Sequence, residues 1–134
     1  MNSKALTVIP PERAQAARQV LDGVVATSGG VRMALISTLD GFEVASLAAG
    51  GEPQVRRLAA MAGSLMAMAR AVGREIDHPG CRRLTFETDA GLAVFQAIGG
   101  PFPCILCLVL EKDAVFGRAL WTAAEVARQL GHDG

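Results

Sequence analysis

The sequence predicts a mixed α/β (α+β) domain with helices on both sides of a sheet, in the order helix, hairpin, helix, three meandering strands, helix. Three observations carry this. The β-rich runs Val31–Thr38 and Phe42–Leu47 are joined by Leu39-Asp40-Gly41, and Asp-Gly in that setting marks a hairpin because both residues accept positive φ. Apolar residues recur at helical spacing in three further segments. The run Cys104–Leu110 is apolar without alternation, so it needs cover on both faces and belongs in the middle of the sheet.

Each element has its own local reason. Residues 1–10 carry no clear periodicity and read as a tail; residues 11–131 form the expected domain and 132–134 a short C-terminal tail. Pro11 suits a first helical turn and Glu12 its dipole. Ala14, Ala17, Val20, Leu21, Val24 and Val25 then form an apolar stripe that Ser28-Gly29-Gly30 ends. In the second hairpin run, Phe42, Val44 and Ser46 alternate with Glu43, Ala45 and Leu47, and the break follows at Ala48-Ala49-Gly50-Gly51. Pro53 to about Ile76 is alanine-rich and poor in β-branched residues, hence helical.

That second helix is apolar nearly all round from Leu58 to Ala69. Met61, Leu65, Met68 and Val72 make one stripe, and Ala59, Gly63, Ala67 and Ala71 make a row of small side chains spaced by four. A helix covering one sheet face needs only one stripe, so this one is expected to be buried twice, against its own sheet and against something else. After the turn His78-Pro79-Gly80 come three β-runs, Arg82–Thr88, Leu92–Ile98 and Cys104–Leu110, the first two joined through Asp89-Ala90-Gly91. Asp113 is the expected cap of a last helix whose stripe is Phe116, Ala119, Leu120, Ala123, Ala127 and Leu130, ended by Gly131. Trp121 lies off that stripe and reads as core edge rather than binding hot spot.

Composition narrows the function classes. The chain has 134 residues, 51% hydrophobic and 19% charged, which fits one domain with a sizeable core and excludes global disorder. Thirteen basic residues balance thirteen acidic ones, so the surface lacks the net field of a generic nucleic-acid or anionic-membrane binder. The charge-free stretch Leu58–Ala69 is shorter than the roughly 18 apolar residues a membrane span needs. The N-terminus leads into Pro10-Pro11 rather than an apolar export signal, and the three cysteines are an odd number. A cytoplasmic location and no membrane insertion are expected.

Residues that could carry chemistry are sparse. His78 sits in a turn and His132 in the tail, both better read as surface histidines than as ligands. Cys104-Ile105-Leu106-Cys107 has redox or zinc spacing but lies mid-strand, where residues three apart point to opposite faces, so both read as core cysteines. Cys81 has no evident partner. No Gly-rich phosphate loop, nucleophile elbow or metal-ligand set is present, and Glu87 and Asp89 read as solvated turn charges. Catalytic, cofactor-binding and metal-binding residues are therefore not expected. Between Gln54 and Arg83 the arginines Arg56, Arg57, Arg70, Arg74, Arg82 and Arg83 face only Glu75 and Asp77. They form either a solvated rim, the plainer reading, or a surface for an acidic protein partner.

Gly23-Val24-Val25, Ala34-Leu35-Ile36-Ser37 and Asp40-Gly41-Phe42-Glu43-Val44-Ala45-Ser46 together resemble the opening of roadblock/dynein-light-chain domains. Leu58-Ala59-Ala60-Met61-Ala62-Gly63-Ser64-Leu65 resembles that family's second helix and Phe116-Gly117-Arg118-Ala119-Leu120 its last, so the resemblance runs from about Ala14 to Leu130. It implies a single five-stranded antiparallel sheet of roadblock/profilin-like type, with the second helix on one face and the first and last on the other. It also implies a homodimer paired through the second helix and the edge strand after it. The interface residues would be Leu58, Ala59, Met61, Ala62, Gly63, Leu65, Met66, Ala67, Leu84 and Phe86.

By the same resemblance the function is regulatory and non-enzymatic: binding a small Ras-like GTPase and modulating its nucleotide cycle or localisation. Arg56, Arg57, Arg70 and Arg74 would face the partner. An activator would hold the partner's switch loops or supply an arginine to the transition-state charge, for which Arg57 or Arg70 are the candidates. The alternative is a small-molecule sensor or structural adaptor on the same dimeric fold, with Met61, Met66 and Met68 lining an apolar pocket.

Overall fold

A computed structural model describes residues 8–48 and 51–131. The chain runs through α1 (Pro11–Val20), a π-helical segment (Leu21–Val25), β1 (Val31–Thr38), β2 (Glu43–Ala48), α2 (Glu52–Glu75), β3 (Arg83–Thr88), β4 (Gly91–Ile98), β5 (Cys104–Glu111) and α3 (Phe116–Gly131). The five strands form one sheet in the order β2-β1-β5-β4-β3, and every neighbouring pair is antiparallel. The expected class, element order and central β5 are what the structure shows. His132 and residues 1–7 of the expected tail lie outside the described residues.

Alternation along the strands divides the core into two layers. Cys104, Leu106, Leu108 and Leu110 of β5, with Ala34 and Ile36 of β1 and Val94 and Ile98 of β4, face α1, the π-segment and α3. Ile105 and Cys107, with Met33, Leu35, Ala93 and Phe95, face α2. Full burial of side chains such as Leu106 in one layer and Ile105 in the other contributes about 1.5–3 kcal/mol each, so β5 stabilises both layers at once. One layer holds two helices and the other holds one. Strands lie about 4.8 Å apart, so five span roughly 20 Å, whereas a helix with its side chains is about 10 Å wide. α2 therefore shields the middle of its face and leaves the edge strand β3 largely exposed.

Two expectations at the last helix are corrected. α3 begins at Phe116, not directly after Asp113, and the Ala119 N–H bonds to the Val115 carbonyl at 3.1 Å. Its buried stripe is Ala119, Thr122, Ala123 and Val126, so Phe116 falls outside it and Trp121 is 62% exposed rather than at the core edge. Helical phase explains Trp121, which points about 150° from the centre of that stripe, whereas Phe116 is exposed as the first residue of the helix. In the first helix the π-turn is closed by the Ala26 N–H on the Leu21 carbonyl at 2.9 Å, and the Thr27 hydroxyl reaches back to the Gly23 and Val24 carbonyls.

The β1–β2 turn docks on α2. The Thr38 hydroxyl donates to Asp40 Oδ1 at 2.6 Å and accepts the Phe42 N–H at 3.0 Å, and Gly41 takes φ +98°, which an L side chain rarely tolerates. This turn lies so close to α2 that a Cβ on Gly63 would sit 2.3 Å from the Leu39 carbonyl oxygen. The small residue in the middle of the helix is therefore required by the chain's own hairpin.

The Cys-x-x-Cys pair splits across the sheet, Cys104 into the two-helix layer and Cys107 into the α2 layer. Burial pushes the Cys104 thiol up to about 11, against a smaller opposing effect of Arg13, and burial alone pushes Cys107 up to about 12. Burial disfavours the thiolate at both, and because the two lie on opposite faces of the sheet they do not converge on one redox or metal site.

Two measurements follow. Gly63→Ala gains about 1 kcal/mol of helix propensity but forces the hairpin away from α2, a strain of about 1–3 kcal/mol or more, so thermal and urea denaturation should show net destabilisation. The native thiols hold their protons to higher pH than the unfolded chain, so their contribution is intact below about pH 9 and is lost as pH rises through about 11 to 12. Urea midpoints should fall between pH 8.5 and 11 more steeply in the wild type than in Cys104→Ala/Cys107→Ala, and the absence of tyrosine simplifies the comparison.

Candidate functional site

α2 carries two apolar stripes at three- and four-residue spacing. Val55, Ala59, Ala62, Met66 and Gly73 are buried against the sheet. Leu58, Met61, Leu65, Met68, Val72 and Ile76 run along a flank about a quarter turn away, facing the β3 side. Of these, Leu58 and Leu65 are half-buried at the margin of the core, while Met61, Met68 and Val72 are 56%, 65% and 52% exposed. A seam of this kind, with 3-4 spacing over more than two heptads, is what helices use to pack on one another.

The seam faces apolar side chains on the edge strand. Leu84 and Phe86 lie on the α2 side of β3, directly opposite Phe95 and Ala93 of β4. Phe86 stacks on Phe95 with ring centroids 6.0 Å apart and an interplanar angle of 16°. Phe86 is still 44% exposed, because α2 does not reach it. Between Leu58 and the β3–β4 hairpin is a cavity of about 180 Å³ lined by Phe86, Ala93, Phe95, Cys107 and Val109. Seam, cavity and edge strand make one continuous apolar trough, the kind of surface that marks an interaction site.

The structure redistributes the residues expected at a dimer interface. Leu58, Met61, Leu65, Leu84 and Phe86 border the trough. Ala59, Ala62 and Met66 do not: each is at most 1% exposed against the chain's own sheet and has no area to offer a partner. Gly63 is taken up by the Leu39 carbonyl. Ala67 lies on the solvent-facing back of the helix. A row spaced by four drifts about 40° per step on a helix, so Ala59, Gly63, Ala67 and Ala71 wind from core to solvent instead of sharing a face. The outer stripe was visible in the sequence, but its extension to Ile76 and its separation from the buried one were not.

The arginines also separate. By helical phase Arg56, Arg70 and Arg74 lie on the flank that carries Gly63 and the docked hairpin turn, opposite the apolar seam, and Arg57 lies on the back. Among the described residues none of the four forms an ion pair. Leu39 and Phe42 at the hairpin tip are exposed on the same flank, an apolar feature not expected from the sequence, where Leu39 reads as a turn residue and Phe42 as the start of the second β-run. The three methionines of the sensor reading do not converge: Met66 is in the core, and Met61 and Met68 point outward.

On the other side of the sheet, Trp121 borders a cavity of about 370 Å³ together with Val24, Thr27, Ser28, Arg118 and Thr122. Its polar floor is the Ser28–Thr122 hydroxyl pair at 3.0 Å. A wider groove of about 650 Å³ separates α3 from β3 and is lined by Arg82, Arg83, Gln96 and Arg128. Arg128 is held by Glu125, whose carboxyl it lowers to about 2, with a further hydrogen bond from Gln129. No cluster of three or more metal-ligating side chains occurs among the described residues, and none of their helices is long and apolar enough to cross a membrane.

Comparison with known proteins agrees with this architecture. Residues 18–102 match the family model described as the Roadblock/LC7 domain. No curated protein matches the sequence. Among solved structures, MglB in a tetrameric arrangement superposes with a TM-score of 0.82 at 20% identity, over 96% of this chain and 95% of its own. Myxococcus xanthus MglB gives 0.82 at 12% identity, over 93% and 92%. A Roadblock/LC7 domain from Streptomyces avermitilis gives 0.74 at 18% identity, over 84% and 92%. At these identities the likeness establishes the fold.

Proposed function

The chain belongs to the Roadblock/LC7 domain family, and on that premise we propose that it is a non-enzymatic homodimer that binds a small Ras-like GTPase and modulates its nucleotide cycle or localisation. The observation that carries the dimer is the trough between α2 and β3, where an exposed helix seam lies beside an unpaired strand edge. A second copy covers both at once: its α2 packs on the seam, and its edge strand takes up the free backbone groups of β3.

The partner surface then falls on the opposite flank of α2. Arg56, Arg70 and Arg74 stay accessible when the seam is occupied, and Leu39 and Phe42 supply apolar contact beside them. Arginines around a small apolar centre suit a protein partner with acidic switch loops, and arginine is favoured at such interfaces. This geometry favours holding the partner's loops over donating a catalytic arginine. Arg57, on the back of the helix, stands apart from the other three.

Light scattering on the wild type beside Met68→Glu tests the dimer. The wild type should have twice the monomer mass. The variant should be folded by circular dichroism and monomeric, because Met68 is exposed in one copy and buried between two. A monomeric wild type at tens of micromolar overturns the homodimer. Small Ras-like GTPases of the source organism, loaded with GTP, should be retained by the immobilised wild type and roughly tenfold less by Arg70→Glu. Equal retention by the two proteins overturns the arginine flank as the docking surface.

A further inference from the structure

The face of the sheet opposite α2 carries a cavity that neither the apolar trough nor the arginine flank uses. It opens between the end of the π-helical segment and α3, measures about 370 Å³ and is lined by Val24, Thr27, Ser28, Arg118, Trp121 and Thr122. That size falls at the lower end of small-molecule sites, which run from about 300 to 1,000 Å³. Its α3 residues share one flank, since Arg118, Trp121 and Thr122 lie within about 100° of one another around the helix. On the other wall the chain departs from α-helical geometry. The π-turn Leu21–Val25 inserts an extra residue just before Thr27 and Ser28, and such insertions are enriched at functional sites.

Three kinds of group converge there. Trp121, 62% exposed, forms an apolar wall with Val24. Arg118 is the one charged side chain lining the cavity, and among the described residues it forms no ion pair. The floor supplies a directed proton. Thr122 is 1% exposed, and its hydroxyl meets Ser28 Oγ at 3.0 Å. A buried hydroxyl proton without an acceptor is costly, so Thr122 donates to Ser28, and the Ser28 proton is left for whatever enters the cavity. The Thr27 proton is already held by the Gly23 and Val24 carbonyls at 3.0 and 3.2 Å. We propose that this cavity binds a small aryl carboxylate: the ring lies on the Trp121 indole beside Val24, and the carboxylate accepts from the Arg118 guanidinium and the Ser28 hydroxyl. One cation and one free hydroxyl match the single charge of a carboxylate. A phosphate monoester carries nearly two charges and three strong acceptor oxygens, more than these donors satisfy.

Trp121 is the chain's single tryptophan and tyrosine is absent, so intrinsic fluorescence reports on this cavity. Phenylacetate is the probe. It should change the emission saturably, with half-saturation at or below about 1 mM, an affinity within reach of a ligand of about ten heavy atoms. Phenylacetamide, similar in shape but neutral, and acetate, charged but without a ring, should each bind about tenfold more weakly or worse. Arg118→Met keeps the tryptophan and removes the charge; it should leave the circular dichroism spectrum unchanged and weaken phenylacetate about tenfold. A linear decrease without saturation up to about 10 mM phenylacetate is collisional quenching, and it or an unchanged emission overturns the site. Phenylacetamide binding as well as phenylacetate, or Arg118→Met binding as well as wild type, overturns the carboxylate assignment. Acetate binding as well as phenylacetate overturns the aromatic wall. Each of these outcomes leaves the homodimer reading untouched.

Discussion

The structure depends on β5 being apolar on both faces. Such a strand has to lie between two hydrophobic layers, and the chain has three helices to build them. Two go to one side and one to the other. On the two-helix side α1, its π-helical continuation and α3 cover the sheet from β2 to β4. On the other side α2 lies over β1, β5 and β4, with only a margin toward β3. The half-exposed Phe86 and Leu84 follow from that mismatch between the width of one helix and the width of five strands.

α2 is adapted to this position in three directions. Val55, Ala59, Ala62 and Met66 keep its sheet face small enough to sit close to the strands. Gly63 lets the β1–β2 turn lie against one flank, which anchors the hairpin tip and presents Leu39 and Phe42 beside Arg56 and Arg70. The Met61, Met68 and Val72 seam occupies the other flank. A single helix thus separates a flank suited to self-association from a flank suited to an acidic partner. On the proposed reading, that separation would let a dimer bind a second protein without giving up its own interface.

The edge strand and the seam also solve one problem together. A free edge with exposed apolar side chains invites uncontrolled pairing. In β3 the charges of Arg83 and Glu87 alternate with Leu84 and Phe86, so a neighbour has to match charge on one side of the sheet and apolar shape on the other.

Much of this was legible in the sequence. Asp40-Gly41 announced the first hairpin, the unbroken apolar run of β5 announced its central place, and helical periodicity located α1, α2 and α3, because these signals are local or depend only on burial of the segment itself. The outer stripe of α2 was legible for the same reason. What a single stretch of sequence could not decide was which neighbour each face of α2 meets. Ala59, Ala62, Gly63 and Met66 look alike as a dimer surface, yet three are consumed by the chain's own sheet and one by its hairpin turn. Trp121 read as core edge, yet the phase of α3 on the sheet turns it outward, and Phe116 read as core, yet it opens the helix half-exposed. The alternation of Arg83 and Glu87 was present all along, but only the pairing of β3 with β4 showed which backbone groups are free. The sequence by itself determined the elements, their order and the two-sided burial of β5, since these follow from periodicity and turn chemistry within each segment. The tertiary structure decided the helix faces and the open edge, since these depend on contacts between residues far apart in the chain.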